Sequence, residues 1–200
     1  MSKPLLFALI ACLSMPAGAQ QEPKSAGPVE AIVLEDLVAA NRILVDQGVL
    51  DGFGHVSIRH PGDSNRYLMA RNLAPELVTA ADILEYDLDS NPIDAKGQRT
   101  FLERFMHGAI YKARPDVRAV IHSHSPSVVP FGISTHVLKP VYHMSGFLAV
   151  GVPVWDIREA AGGPSNMLVS TNALAQQLAA ELGDRPVVLM RGHEIGRAHV

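Results

Sequence analysis

The sequence predicts a single α/β domain with helices packed on a mixed sheet, and three observations carry that expectation. A chain of 200 residues with 48% hydrophobic and 18% charged content is enough for one well-buried core and too little for two of ordinary size. Helix-like and strand-like runs alternate along it. No internal repeat or low-complexity tract interrupts them.

The first nineteen residues stand apart from this pattern. Lys3 supplies a positive start, residues 5–13 an apolar stretch, and Ala17-Gly18-Ala19 a small-residue cleavage site. Residues 1–19 therefore read as a signal peptide, and export to the periplasm or beyond is expected. The apolar stretch is too short to span a membrane, which takes about 20 residues. Leu9-Ile10-Ala11-Cys12 also resembles a lipoprotein box, a minority reading because the leader before it is very short. Cleavage at Ala19 removes the only cysteine, so a metal in the mature protein would be held by nitrogen and oxygen. Residues 20–28 are polar and read as a loose tether before a domain spanning 29–193.

Within that domain, Ile32, Val33, Leu37, Val38, Ile43 and Leu44 recur at helical spacing, and Gly48 stands where a helix ends. Strand-like runs follow at 55–59, 67–71 and 83–88. Turn signals separate them at Pro61-Gly62-Asp63 and Asp89-Ser90-Asn91-Pro92. A second helix is expected over 102–112, closed by Arg114-Pro115-Asp116, and it leads into an apolar strand over 119–122. A third helix is expected over 172–182 with Gly183 behind it, then a strand over 187–190.

The net charge of -3 is spread without basic or acidic runs. That pattern offers no nucleic-acid track and no anionic-membrane patch, so the expected partner is a small molecule. The chemistry gathers at strand ends. His122 and His124 leave one strand at positions i and i+2, which point the same way in extended chain and can converge on one ion. His193 follows a second apolar strand and is either a surface-loop residue or the third ligand of a set of the kind that leaves a coordination position open. Glu103 opens the second helix. It is either a carboxylate favoured by the helix dipole or one that moves protons at the metal, and spacing does not choose between them.

Several segments resemble the class II aldolase/adducin family. They are Gly54-His55-Val56-Ser57, then Glu103-Arg104-Phe105-Met106-His107, the run from Ala113-Arg114-Pro115-Asp116 through His122-Ser123-His124-Ser125-Pro126, and an apolar strand ending Arg191-Gly192-His193. The resemblance implies a three-layer α/β/α sandwich around a central mixed, largely antiparallel sheet, and a homo-oligomer, usually a four-fold ring, when the chain is full length. It implies that His122, His124 and His193 bind a divalent metal, often zinc, with iron or manganese as alternatives, and that Glu103 is the acid/base of a carbon–carbon lyase. Tyr142-His143 aligns loosely with the segment where aldolases carry a proton-donating tyrosine.

Departures from the family pattern point to the substrate. Sugar-phosphate members hold phosphate with polar groups at positions that here read His55, Arg71 and its neighbours, and Phe101-Leu102. Two apolar side chains do not replace hydroxyl donors to a dianion. The expected substrate is a non-phosphorylated hydroxy or keto carboxylic acid, cleaved by decarboxylation or retro-aldol chemistry. Arg71 and His55 are expected at its carboxylate, Phe101 against a flat body, and Ser57 in the same substrate-binding segment. A sugar-phosphate aldolase or epimerase and a non-catalytic adducin-like interaction module are the alternatives.

The chain closes on Glu194 to Val200, where the family pattern continues with Gly. Ile-Gly-Arg-Ala-His-Val is also the translation of a common sequencing-library adapter, so 194–200 read as an artefactual tail on a C-terminally truncated domain.

Overall fold

A computed structural model describes residues 24–193 and 195–199. The expected signal peptide and the first residues of the tether lie outside them. Helix α1 (Ala31–Asp46) is followed by β1 (His55–Arg59), β2 (Arg66–Ala70), β3 (Ile83–Asp87) and β4 (Pro92–Ile93). Then come α2 (Arg104–Ala113), β5 (Ala119–Ser123), α3 (Val129–Ile133), a 3-10 segment His143–Val150, β6 (Val154–Trp155), α4 (Ile157–Ala161), α5 (Asn172–Leu182), β7 (Val187–Met190) and β8 (Ile195–His199).

Among the described residues the eight strands form one sheet in the order β4-β3-β2-β1-β5-β8-β7-β6. Its pairings are antiparallel except β6 with β7, which are parallel. The sheet is therefore mixed and largely antiparallel.

Alternation along each strand sorts side chains into two cores. On one face Tyr67, Met69, Tyr86, Val120, Val188 and Met190 pack with Met106, Ile110, Leu178 and Leu182 of α2 and α5. On the other, Val56 and Leu68 pack with Leu37 of α1, and Val187 and Leu189 with Phe131 and Leu148. This is a three-layer arrangement. Among the described residues no helix is long and apolar enough to cross a membrane.

Strand β8 extends the sheet past the domain end expected at residue 193. It pairs with β5 through His122↔Gly196 and with β7 through Val188↔Gly196. Ladder bonds are made by backbone, so any short run without proline can fill that slot.

Candidate active site

The β1–β5 pairing sets His55 opposite His122 in register. Both point to the α2 face, where their rings lie 4.9 Å apart. Gly54 permits this approach, because a Cβ there would stand 2.7 Å from Leu50 and 3.0 Å from the His122 carbonyl. His124 lies just beyond β5, and Gly192 (φ +70) turns the chain after β7 so that the His193 N–H donates to the Met190 carbonyl. The His122 ring lies 5.2 Å from that of His124 and 5.9 Å from that of His193. One nitrogen from each of the three lies within 4.8 Å of the other two.

Glu103 is at the N-cap of α2 and is largely buried. Its Oε1 accepts from the Val169 N–H at 3.0 Å, and its Oε2 lies 3.2 Å from His122 Nε2 and 3.3 Å from His193 Nε2. Burial pushes this carboxyl up. The His193 hydrogen bond, the electrostatic influence of the neighbouring His122 and His193 rings and the Val169 N–H outweigh it and leave the group below the usual glutamate range. Burial, reinforced by neighbouring imidazoles, holds His55 and His122 well below the usual histidine value. Both rings are then neutral at neutral pH.

Asp51 orients the third ring: its Oδ1 lies 2.7 Å from His124 Nδ1 and also accepts the Phe53 and Gly54 N–H groups. Burial raises the Asp51 carboxyl, but these contacts lower it further and keep it charged. A carboxylate on Nδ1 leaves Nε2 as the donor atom and fixes the ring's tautomer. Three convergent imidazoles, one oriented by a carboxylate and one buried neutral, fit a divalent cation.

The cluster opens on a cavity of about 410 Å³ lined by Phe53, His55, Asn72, Phe101, Leu102, Glu103, His124, Leu168 and His193. Phe101 is buried, with its ring 4.4 Å from that of His55.

Other expected site residues are placed elsewhere. Arg71 does not line the cavity; its Nε is bound to Asp82 at 2.7 Å, and its neighbour Asn72 takes the lining position. Ser57 is wholly buried behind His55, where it meets His107 and Tyr111 instead of the cavity. Tyr142 and His143 are exposed at the start of the 3-10 segment. That segment packs through Leu148 on the Val187 and Leu189 side of the sheet, opposite the face carrying His122, so within one chain they do not reach the cavity. Asp51, Phe53 and Leu168 carried no signal of their own. Asp51-Gly52 reads only as a turn, and its partner His124 is 73 residues away.

A profile described as the Class II Aldolase and Adducin N-terminal domain matches residues 35–195. The decarboxylase tropJ of Talaromyces stipitatus is 36% identical over 175 residues, covering 82% of this chain and 66% of that protein. A 3,4-dihydroxyphthalate decarboxylase of Arthrobacter keyseri is 35% identical over 191 residues, covering 86% of this chain and 69% of that one. This chain thus spans about two thirds of the length of either relative. An aldolase II superfamily protein from Pseudomonas syringae has the same fold with a TM-score of 0.70 at 24% identity, over 86% of this chain and 67% of that chain. The L-fuculose 1-phosphate aldolase of Glaciozyma antarctica PI12 gives 0.66 at 23% identity, over 86% and 68%.

Proposed function

The chain belongs to the class II aldolase and adducin family, and from that premise we propose that it is a metal-dependent lyase that decarboxylates a hydroxylated aromatic acid. The observation that carries this reading is the cavity lining. Phe53, Phe101, Leu102 and Leu168 offer flat and apolar surface directly beside the histidine cluster and Glu103. No serine or threonine is among the lining residues, so the oxygens of a phosphate dianion would lack hydroxyl donors. The two decarboxylases at 35–36% identity support the same class.

His122, His124 and His193 would hold the cation, and zinc is the proposed metal because a three-nitrogen set with one open position suits it. When bound it would supply Lewis-acid withdrawal of electron density from a substrate oxygen. The protein's own groups do the rest. Phe101 stacks on the ring of the acid.

Glu103 starts ionised, with one oxygen tied by the Val169 N–H and the other facing the histidines. It accepts the proton of the substrate hydroxyl. As the bond to the carboxylate breaks and its electron pair passes into the ring, Glu103 returns that proton to the carbon from which carbon dioxide departs.

The test is an assay of the zinc-loaded protein against 3,4-dihydroxyphthalate and other hydroxylated benzoic acids, beside fuculose phosphate and ribulose phosphate, following carbon dioxide and aldehyde release. Carbon dioxide from an aromatic acid is expected. Efficient cleavage of a sugar phosphate with no turnover of the acids would overturn the reading.

A further inference from the structure

We propose that a buried hydrogen-bond relay from Tyr111 through Ser57 and His107 fixes the tautomer of His55, so that His55 presents an Nε2–H donor to the cavity and clamps an anionic substrate oxygen instead of binding metal. The clamp half of this rests on the lyase reading above. The tautomer half does not.

All four side chains are buried. The Tyr111 hydroxyl lies 2.8 Å from Ser57 Oγ, Ser57 Oγ 2.6 Å from His107 Nδ1, and His107 Nε2 2.8 Å from His55 Nδ1. Such a chain can be polarised in either direction, and its far end decides which. Ser57 Oγ is the hydrogen-bond partner the structure gives the Tyr111 hydroxyl, which is buried. The phenol's own proton is left to point at Ser57. The opposite polarity would leave a buried phenol proton without an acceptor, which folded proteins avoid.

With Tyr111 donating to Ser57, the serine proton turns to His107 Nδ1. Burial, with the nearby His122, pushes His107 down to about 3, so the ring is neutral and carries one proton. That proton is then on Nε2, where it donates to His55 Nδ1. His55 is buried with its Nδ1 accepting that bond, so a ring carrying a single proton has it on Nε2.

Two consequences follow for the cavity. His55, Glu103 and His122 form a second group close enough to hold a cation. With Nδ1 engaged by His107 and Nε2 protonated, His55 has no lone pair to contribute to it. Instead it places an uncharged N–H donor beside Phe101, on the cavity wall. A donor there suits the carboxylate or phenolate oxygen of an aromatic acid. His107 and Ser57 are positioning residues in this account, and they act through His55.

The direct measurement is nitrogen-15 NMR of the imidazoles in the zinc-loaded protein, with His55 assigned by its loss in His55→Asn. A protonated, pyrrole-like Nε2 and a bare, pyridine-like Nδ1 are expected for both His55 and His107, with the His55 N–H signal moving when 3,4-dihydroxyphthalate is added. In kinetics, Ser57→Ala frees the tautomer and should raise KM about tenfold with a smaller change in kcat. Ser57→Thr keeps the hydroxyl and should recover the wild-type KM. A proton on His55 Nδ1 in the unsubstituted protein would overturn the relay. Loss of zinc in His55→Asn would make His55 a ligand and overturn it equally, and an unchanged KM in Ser57→Ala would remove the clamp. The expected tautomers in a protein that turns over no aromatic acid would leave the relay standing and discard the lyase reading alone.

Discussion

Glu103 begins α2 with one oxygen on the Val169 N–H and the other against two imidazoles, so its position is fixed without its proton being needed for the fold. Glu103→Gln keeps an oxygen for Val169 but has no site to accept a proton. Metal content should be retained, stability should change by about 1 kcal/mol or less, and turnover should fall by about two to four orders of magnitude. Carbon dioxide release and metal analysis on the same preparation check this, and full activity would pass the proton chemistry to another group. His107 makes a different kind of prediction. The unfolded chain protonates this ring near the usual 6.5, whereas the folded chain holds it neutral down to about 3. Its contribution to stability is complete above 6.5 and is lost as pH falls toward 3, by about 1.4 kcal/mol per pH unit. Urea unfolding at pH 7 and pH 5 should show that loss, and His107→Gln should reduce it without abolishing it, since the buried His55 and His122 titrate in the same direction. A dependence that the substitution leaves unchanged would assign the acid lability elsewhere.

The C-terminus of α2 shows how an element is finished by a residue far from it in sequence. Arg59, at the end of β1 and nearly wholly buried, donates to the carbonyls of Tyr111 and Arg114 at 2.9 Å each and of Val117 at 2.9 Å, with its guanidinium over the Tyr111 ring. The Tyr111 carbonyl has no helical donor because Pro115 stands four residues on, and the Arg114 carbonyl accepts the Val117 N–H as well as the guanidinium. Arg59→Ala should cost about 2–4 kcal/mol in chemical denaturation. Arg59→Lys should recover only part of that, since an ammonium lacks the fork. A loss below about 0.5 kcal/mol would show that solvent satisfies these carbonyls equally well. Nothing in the sequence marked Arg59 as buried, because a polar residue at a strand end reads as exposed. The longer elements were legible: 55–59 and 172–182 fall on β1 and α5 as expected from alternation, helical spacing and a closing glycine. Pro92–Ile93 and Val154–Trp155 were not, since two residues carry no period. Their strand character comes from the neighbour they pair with.

At the scale of the whole molecule, the site is made by topology. The sheet order sets the ends of β5 and β7 near one another with β8 between them, and α2 starts above them, so His122, His124, His193 and Glu103 meet from three separate segments. The gathering of these histidines with Glu103 was legible because histidines at strand ends and a carboxylate at a helix start are positions that backbone direction alone aims. The supports were not, because Asp51 on His124 and His107 behind His55 depend on contacts more than fifty residues apart in sequence. Arg71 misled for a related reason: its free charge suggested a substrate clamp, and Asp82, eleven residues on, takes it. The claim on which the rest depends is that the three imidazoles are a metal centre. It is tested most directly by metal analysis of the dialysed protein beside His124→Ala. The account predicts about one zinc per chain in the unsubstituted protein and its loss in the variant. A dialysed protein that is folded but holds no divalent metal, or a His124→Ala protein that keeps its full complement, would contradict it.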